Sequence, residues 1–79
     1  MPTPIRLPNL GAEASEATIE SWLVAVGDRV AAGDPVVAIE TEKATVEIEA
    51  PVAGRLAEIS VPAGAVAAVG ATLGLIDEA

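Results

Sequence analysis

The sequence predicts an all-β sandwich or barrel, and three observations support this prediction. Apolar and polar residues alternate with a period of two on both sides of position 43, as in half-buried strands. Seven glycines and six prolines divide the 79 residues into short segments, as turns between strands do. The chain also repeats at an offset of 37 residues, which aligns Gly27 with Gly64, Gly33 with Gly70 and Ile39 with Ile76. This repeat predicts internal pseudo-two-fold symmetry, with the turn at 43 and the chain ends pointing apart.

The first half of the chain contains two predicted strands before the central turn region. Residues 5–7 form a short edge strand, because the prolines on either side cannot donate to a ladder. A loop at 9–16 leads to a strand at 17–24, where Thr18, Ile19 and Trp22 are β-branched or large residues that favour a strand. A turn-rich connection follows at 30–35.

The remaining strands are expected at 36–41, 45–50, 56–61 and 72–76. Turn residues at 51–54 and 62–64 separate them. No stretch shows a sustained period of 3.6 residues, although the alanine-rich segment 63–71 comes nearest to it. The chain is therefore predicted to contain no helix.

The strands around position 43 form a predicted hairpin with Glu42 and Lys43 as its two central residues. Paired positions then sum to 85, which sets Ile39 opposite Val46 and Val37 opposite Ile48 on the inner face, with Glu40 opposite Thr45 and Ala38 opposite Glu47 outside. A slip of one residue would turn an apolar set outward, so burial fixes the register. Because Glu-Lys lacks the glycine or asparagine of primed turns, a type I turn with splayed strand ends is expected.

Lys43 is the only lysine in the chain, and the other three basic residues are arginines. Guanidinium groups stay charged and are not readily acylated, so a reaction that needs a side-chain amine has one possible site. Lys43 lies at the predicted hairpin tip, where it would be accessible from solvent and supported by paired strands. The alternative interpretation is an ordinary exposed hairpin lysine.

Composition excludes several classes of function. The chain has no cysteine and no histidine, so we predict no disulfide, no metal site and no catalytic residue. A formal charge of −8 argues against binding to nucleic acid or to an anionic membrane. Segment 59–76 is uncharged and nearly long enough to span a membrane, but one proline and three glycines interrupt it. The first residues lack a signal peptide, so a single cytoplasmic domain covering 1–79 is expected.

A family resemblance rests on the residues around the lysine. The run Glu40-Thr41-Glu42-Lys43-Ala44, followed by 46–51 and Gly54, resembles the lipoyl-lysine motif of 2-oxo acid dehydrogenase complexes. Segments 7–11, 26–28 and 73–76, together with Trp22 and Val30, are similar to the lipoyl domain of the dihydrolipoamide acyltransferase component, E2. The resemblance implies a flattened β-barrel of two four-stranded antiparallel sheets with lipoate amide-linked to Lys43.

The resemblance also implies a function and partners. The lipoyl arm would carry acyl groups and reducing equivalents between the decarboxylase E1, the E2 catalytic core and the dihydrolipoamide dehydrogenase E3. A lipoate ligase or lipoyltransferase would attach it, and the domain would be a non-catalytic monomer in a bacterial cytoplasm. Recognition by the lipoylating enzyme or E1 is expected at Glu40, Thr41, Glu42 and Ala44, and at Leu10 and Gly11 in a loop beside the lysine. The glutamates could instead only solubilise the strand ends.

The acyl group and the cofactor each leave alternatives. Segments 15–18 and 70–78 resemble the 2-oxoglutarate branch, which transfers succinyl, whereas Ala44 is at least as usual in the acetyl branch of pyruvate dehydrogenase. A biotinyl carrier has methionine on both sides of its lysine, where Glu42 and Ala44 stand here. An unmodified adaptor module, of the kind found in efflux membrane-fusion proteins, is the third reading. Trp22 is predicted to be a packing residue rather than a binding site.

Overall fold

Eight β-strands make up the computed structural model, which describes residues 2–9, 15–42 and 44–78. Within these ranges there is no helix. The strands are β1 Pro2–Arg6, β2 Glu16–Trp22, β3 Arg29–Val30, β4 Pro35–Glu40, β5 Thr45–Glu49, β6 Gly54–Ile59, β7 Val66–Ala68 and β8 Thr72–Asp77. All pair antiparallel with their neighbours.

The strands form two four-stranded sheets that pack as a sandwich rather than closing into a barrel. One sheet has the order β1-β8-β6-β3 and the other β5-β4-β2-β7, so β1 is an edge strand as predicted, although it spans Pro2–Arg6 rather than 5–7. Apolar side chains from both sheets fill the space between them, among them Ile19, Ile39, Leu56 and Leu73. Among the described residues no polar or charged residue is buried. The core is therefore held by apolar packing, without buried polar pairs.

The predicted pseudo-two-fold symmetry is confirmed by the order of the strands. Adding 37 to the positions of β2, β3 and β4 gives those of β6, β7 and β8, which occupy the same places in the other sheet. Backbone bonds repeat as well. Gly27 N–H donates to the Leu56 carbonyl at 2.7 Å, and Gly64 N–H donates to the Ile19 carbonyl at 2.7 Å. Each half thus closes a turn onto the other half, which ties the two sheets together.

Two short strands were not predicted from the sequence. β3 begins before the connection assigned to 30–35, and β7 lies inside the alanine-rich segment 63–71. They are two and three residues long, too short to show an alternation. Their buried residues, Val30 and Ala67, are separated by the same 37-residue offset. The repeat was the available signal for both.

The predicted hairpin register is confirmed, because Val37 pairs with Ile48, Ile39 with Val46 and Glu40 with Thr45. Burial differs from the prediction at two positions. Val46 was expected on the inner face but is 37% exposed. It lies on the edge strand β5, which has a neighbouring strand, β4, on one side only. Ala38 was expected outside but is buried, because this small side chain lies on an inner strand between Ser21 and Glu47.

The unequal burial of Val37 and Val46 gives a testable pair. Val37→Thr keeps the side-chain shape but buries a hydroxyl without a partner, so we expect it to lower the free energy of unfolding by about 1–3 kcal/mol. Val46→Thr places the same hydroxyl where water reaches it and should cost no more than about 0.5 kcal/mol. Urea denaturation followed by circular dichroism measures both. Equal losses would contradict the burial pattern.

Candidate functional site

The predicted site residues lie at the connection between β4 and β5. β4 ends at Glu40 and β5 begins at Thr45, so residues 41–44 form the turn. Lys43 lies outside the described residues, but its two neighbours are described, and both Glu42 and Ala44 are exposed. The chain on either side of the sole lysine therefore faces solvent.

Thr41 and Ala44 close this turn. Thr41 N–H donates to the Ala44 carbonyl at 2.9 Å, and the Thr41 hydroxyl donates to the same carbonyl at 3.0 Å. Ala44 N–H in turn donates to the Thr41 hydroxyl oxygen at 3.2 Å. Glu42 does not have a positive φ, which excludes the primed turns, as expected. The type I assignment also depends on Lys43 and stays a prediction.

A row of paired residues supports the base of the turn. Glu40 on β4 lies between Thr45 on β5 and Thr18 on β2, and Thr18 lies opposite Val66 on β7. The Thr45 hydroxyl also donates to the Glu20 carboxylate at 3.3 Å, which links β5 to β2 across β4. All four strands of the sheet thus contribute to the platform below the turn. The backbone at Glu40 and Thr45, on either side of the turn, is thus held by strand pairing.

Charge is divided unequally between the two sheets. All three arginines lie on strands of the sheet that does not carry the turn: Arg6 on β1, Arg29 on β3 and Arg55 on β6. The strands of the turn-bearing sheet have no basic residue, and their exposed acids are Glu16, Glu20, Glu40, Glu47 and Glu49. The surface around the turn is therefore acidic, and its field favours approach by basic partner surfaces.

The loop at 9–16, predicted to lie beside the lysine, is described only at its two ends. Leu10 and Gly11 lie outside the described residues, so their recognition role stays a prediction. Ser15 is described, and its carbonyl accepts the Val69 N–H at 2.9 Å. β2 runs antiparallel to β4, and Thr18 lies opposite Glu40. The residues that precede Thr18 therefore lie at the end of the sheet that carries the turn. The loop thus enters β2 at that end.

Trp22 packs as predicted and takes no part in the turn. Its side chain is half-buried against the core, and its Nε1–H donates to the Val61 carbonyl at 2.8 Å. The indole ring occupies the space where a side chain at Gly74 would lie. Because Trp22 belongs to one sheet and Gly74 to the other, the ring joins the two sheets.

The described part of the chain holds neither a metal-binding cluster nor a membrane-spanning helix. In residues 2–9, 15–42 and 44–78, no group of three or more acidic, cysteine or histidine side chains is placed to hold a metal ion. No helix in those same ranges is long and apolar enough to cross a membrane.

Sequence reasoning identified the lysine and its neighbours but missed two hydrogen bonds that shape the site. These are the double contact of the Thr41 hydroxyl with Ala44 and the link from Thr45 to Glu20. The first had a signal, because threonine hydroxyls at the start of turns often bond to the backbone. The second connects residues 25 positions apart and depends on the sheet order.

Comparison with known families and sequences gives consistent matches. The family model described as biotin-requiring enzyme matches residues 3–76. The succinyltransferase component of the 2-oxoglutarate dehydrogenase complex of Bartonella vinsonii subsp. berkhoffii is 44% identical over 77 residues, 98% of this chain and 19% of that protein. The acetyltransferase component of the pyruvate dehydrogenase complex of Rhizobium meliloti (strain 1021) is 47% identical over 64 residues, 81% of this chain and 14% of that protein. The chain thus spans less than a fifth of either relative.

Solved structures show the same architecture. The solution structure of the lipoyl domain of the 2-oxoglutarate dehydrogenase complex from Azotobacter vinelandii superposes with a TM-score of 0.77 at 29% identity, covering 95% of both chains. The urea carboxylase of Kluyveromyces lactis superposes with a TM-score of 0.82 at 23% identity, over 98% of this chain and 6% of that one. The second match concerns the fold alone.

Proposed function

The chain belongs to the biotin–lipoyl family of biotin-requiring enzymes and is a lipoyl domain, and we propose that Lys43 is where its lipoate is attached. Members of this family hold a covalently attached group, lipoyl in some and biotinyl in others. An amide bond to such a group needs an amine, and Lys43 carries the only one on a side chain. This single amine, in a turn between exposed neighbours, is the observation that carries the proposal.

The residues around Lys43 suit a lipoyl arm. Glu42 and Ala44 are exposed, so a ligase could reach the chain from either side of the lysine. Thr41 and Ala44 close the turn through three hydrogen bonds, which gives a mobile arm a fixed base. The methionines that flank a biotinyl lysine are missing at both neighbouring positions. The absence of these methionines favours lipoate over biotin.

The composition indicates which part of the chemistry the cofactor supplies and which part the protein supplies. When bound, lipoate supplies a dithiolane whose disulfide can be reduced and acylated. The protein holds and orients the arm, and its exposed acids set the field around it. Since the chain has no cysteine, none of its own thiols can capture the reduced arm in a mixed disulfide. The domain is a carrier, without catalytic residues of its own.

We further propose that the domain serves a dihydrolipoamide acyltransferase within a 2-oxo acid dehydrogenase complex. Its partners would be the decarboxylase E1, the E2 catalytic core, the dehydrogenase E3 and a lipoate ligase or lipoyltransferase, in a bacterial cytoplasm. The proposal is supported by relatives that are components of such complexes in bacteria. A net charge of −8 opposes self-association, which supports a monomeric domain.

Trypsin digestion tests the attachment point. Trypsin cuts after lysine and arginine, so the unmodified chain should yield peptides 30–43 and 44–55. After treatment with lipoate and a purified lipoate ligase, we expect a single peptide covering 30–55 and carrying one lipoyl group, because an acylated lysine is no longer cut. Peptides 30–43 and 44–55 persisting in full after that treatment would contradict the proposal.

For the acyl group we propose succinyl, with acetyl as the alternative. A succinyl relative and an acetyl relative each match 98% of the chain, and the succinyl relative is the more similar of these two, at 44% against 39% identity. Reductive acylation of the lipoylated domain by purified E1 enzymes distinguishes the two. We expect kcat/KM with the 2-oxoglutarate enzyme to exceed that with the pyruvate enzyme by about tenfold or more. The reverse order would assign the domain to the acetyl branch.

A further inference from the structure

We propose that Thr41 is a positioning residue for every reaction at Lys43, and that it acts by ordering the turn rather than by touching the partner enzymes. The inference rests on the proposed function, because it concerns how the modified lysine is presented. It differs from the recognition role that the family resemblance implies for Thr41. The geometry of the turn supports it in three steps.

First, the Thr41 hydroxyl makes two of the three hydrogen bonds that the structure describes between Thr41 and Ala44. It donates to the Ala44 carbonyl at 3.0 Å and accepts from Ala44 N–H at 3.2 Å. A hydroxyl has one hydrogen to donate and two lone pairs to accept with, so both bonds can exist together. Valine at this position would remove both of these bonds and keep the backbone bond from Thr41 N–H to the Ala44 carbonyl, at 2.9 Å.

Second, the two central residues give the turn little support of their own. Tight two-residue hairpin turns are favoured by glycine, asparagine or aspartate, whereas this turn has Glu42 and Lys43. Glu42 also lacks the positive φ that matches the twist of paired strands. Closure therefore depends more than usual on the side chain at its first position.

Third, the effect of losing the hydroxyl should stay local. The ladder resumes directly below the turn, where Glu40 pairs with Thr45 and Ile39 with Val46. Thr41 lies outside both strands and is not part of the core. A loosened turn would therefore leave the sandwich folded and change only how often Lys43 is presented in the right geometry.

This mechanism predicts a specific kinetic change. An enzyme that binds only the ordered turn has an apparent affinity reduced by the fraction of molecules in which the turn is ordered. KM should then rise while kcat stays constant, and by a similar factor for the lipoylating enzyme and for the decarboxylase. A residue that contacted one of these enzymes directly would change the kinetics of that enzyme alone.

The test compares Thr41→Val with the conservative Thr41→Ser and with a matched control, Thr3→Val. Thr3 lies in the other sheet, where its hydroxyl donates to the Glu78 carboxylate at 2.6 Å, so the control removes a hydroxyl bond far from the turn. Kinetics of lipoylation by a purified lipoate ligase give kcat and KM. Hydrogen exchange of the Thr41 amide, without any enzyme, reports the order of the turn. Thermal denaturation followed by Trp22 fluorescence verifies that each variant is folded.

We expect Thr41→Val to raise KM and to speed exchange of the Thr41 amide, with the two factors multiplying to about five, the size of about one net hydrogen bond. Thr41→Ser and Thr3→Val should match the wild type in both measurements. An unchanged KM for Thr41→Val, or a raised KM with unchanged exchange, would overturn the inference. A folded wild type that the ligase cannot modify would overturn the proposed function itself, and the inference with it.

Discussion

Lys43→Arg is expected to abolish lipoylation and all acyl transfer while changing the free energy of unfolding by less than about 0.5 kcal/mol. Arginine keeps the positive charge, but its guanidinium is not acylated under conditions that modify an amine. No second lysine exists to substitute for it. The residues on both sides of position 43 are exposed, so the substitution leaves the core untouched. Intact mass after ligase treatment and urea denaturation measure the two effects.

The outcome that would contradict this prediction is modification of the Lys43→Arg variant. Such a product would place the attachment elsewhere, at the amino terminus or at a side chain without an amine. The wild type treated in parallel is the control for ligase activity. A Lys43→Arg variant that is neither modified nor folded would also contradict the prediction, because the substitution is expected to abolish lipoylation without lowering stability.

Gly74→Ala should lower the stability of this domain far more than the same methyl group added at a glycine with open space around it. A Cβ at Gly74 would lie 2.6 Å from the carbonyl oxygen of Glu58 and 2.9 Å from Cη2 of Trp22. The Glu58 carbonyl belongs to the adjacent strand β6 and cannot turn aside. The indole is held by its bond to the Val61 carbonyl. We expect a loss of about 3 kcal/mol or more, a large share of the stability of a small domain.

Two comparisons identify the cause of that loss. Gly33→Ala adds the same methyl group where no atom lies within 4 Å, although φ is 91°, and should cost only about 1–2 kcal/mol. Trp22→Phe removes Cη2, so the double variant with Gly74→Ala should be more stable than the sum of the single effects predicts. Circular dichroism in urea follows all variants. A Gly74→Ala loss no greater than that of Gly33→Ala would contradict the close packing at Gly74.

Much of the hairpin was predictable because burial alone fixes it. The alternation around Lys43 allows only one register that keeps Val37, Ile39 and Ile48 inside, and the structure has that register. The burial of Val46 and Ala38 was not predictable in this way. It depends on β5 being an edge strand and β4 an inner one, and strand order is set by the whole fold.

The candidate site shows the same division between local and tertiary information. The uniqueness of Lys43 is a property of the sequence and was visible at once. The roles of Thr41 and Thr45 depend on which groups the fold brings to their hydroxyls, Ala44 in one case and Glu20 in the other. The separation of arginines from the turn-bearing sheet is likewise a property of strand order, because net charge alone does not show it.

Competition between two ligases tests the central claim, that this is a lipoyl carrier, most directly. The wild-type domain would be incubated with lipoate ligase and lipoate, with biotin ligase and biotin, and with both systems together. Intact mass spectrometry then gives the mass of each product. The account predicts one lipoyl group per chain in the first and third reactions and an unchanged mass in the second. A biotin adduct on the folded domain, or no adduct in any reaction, would contradict it.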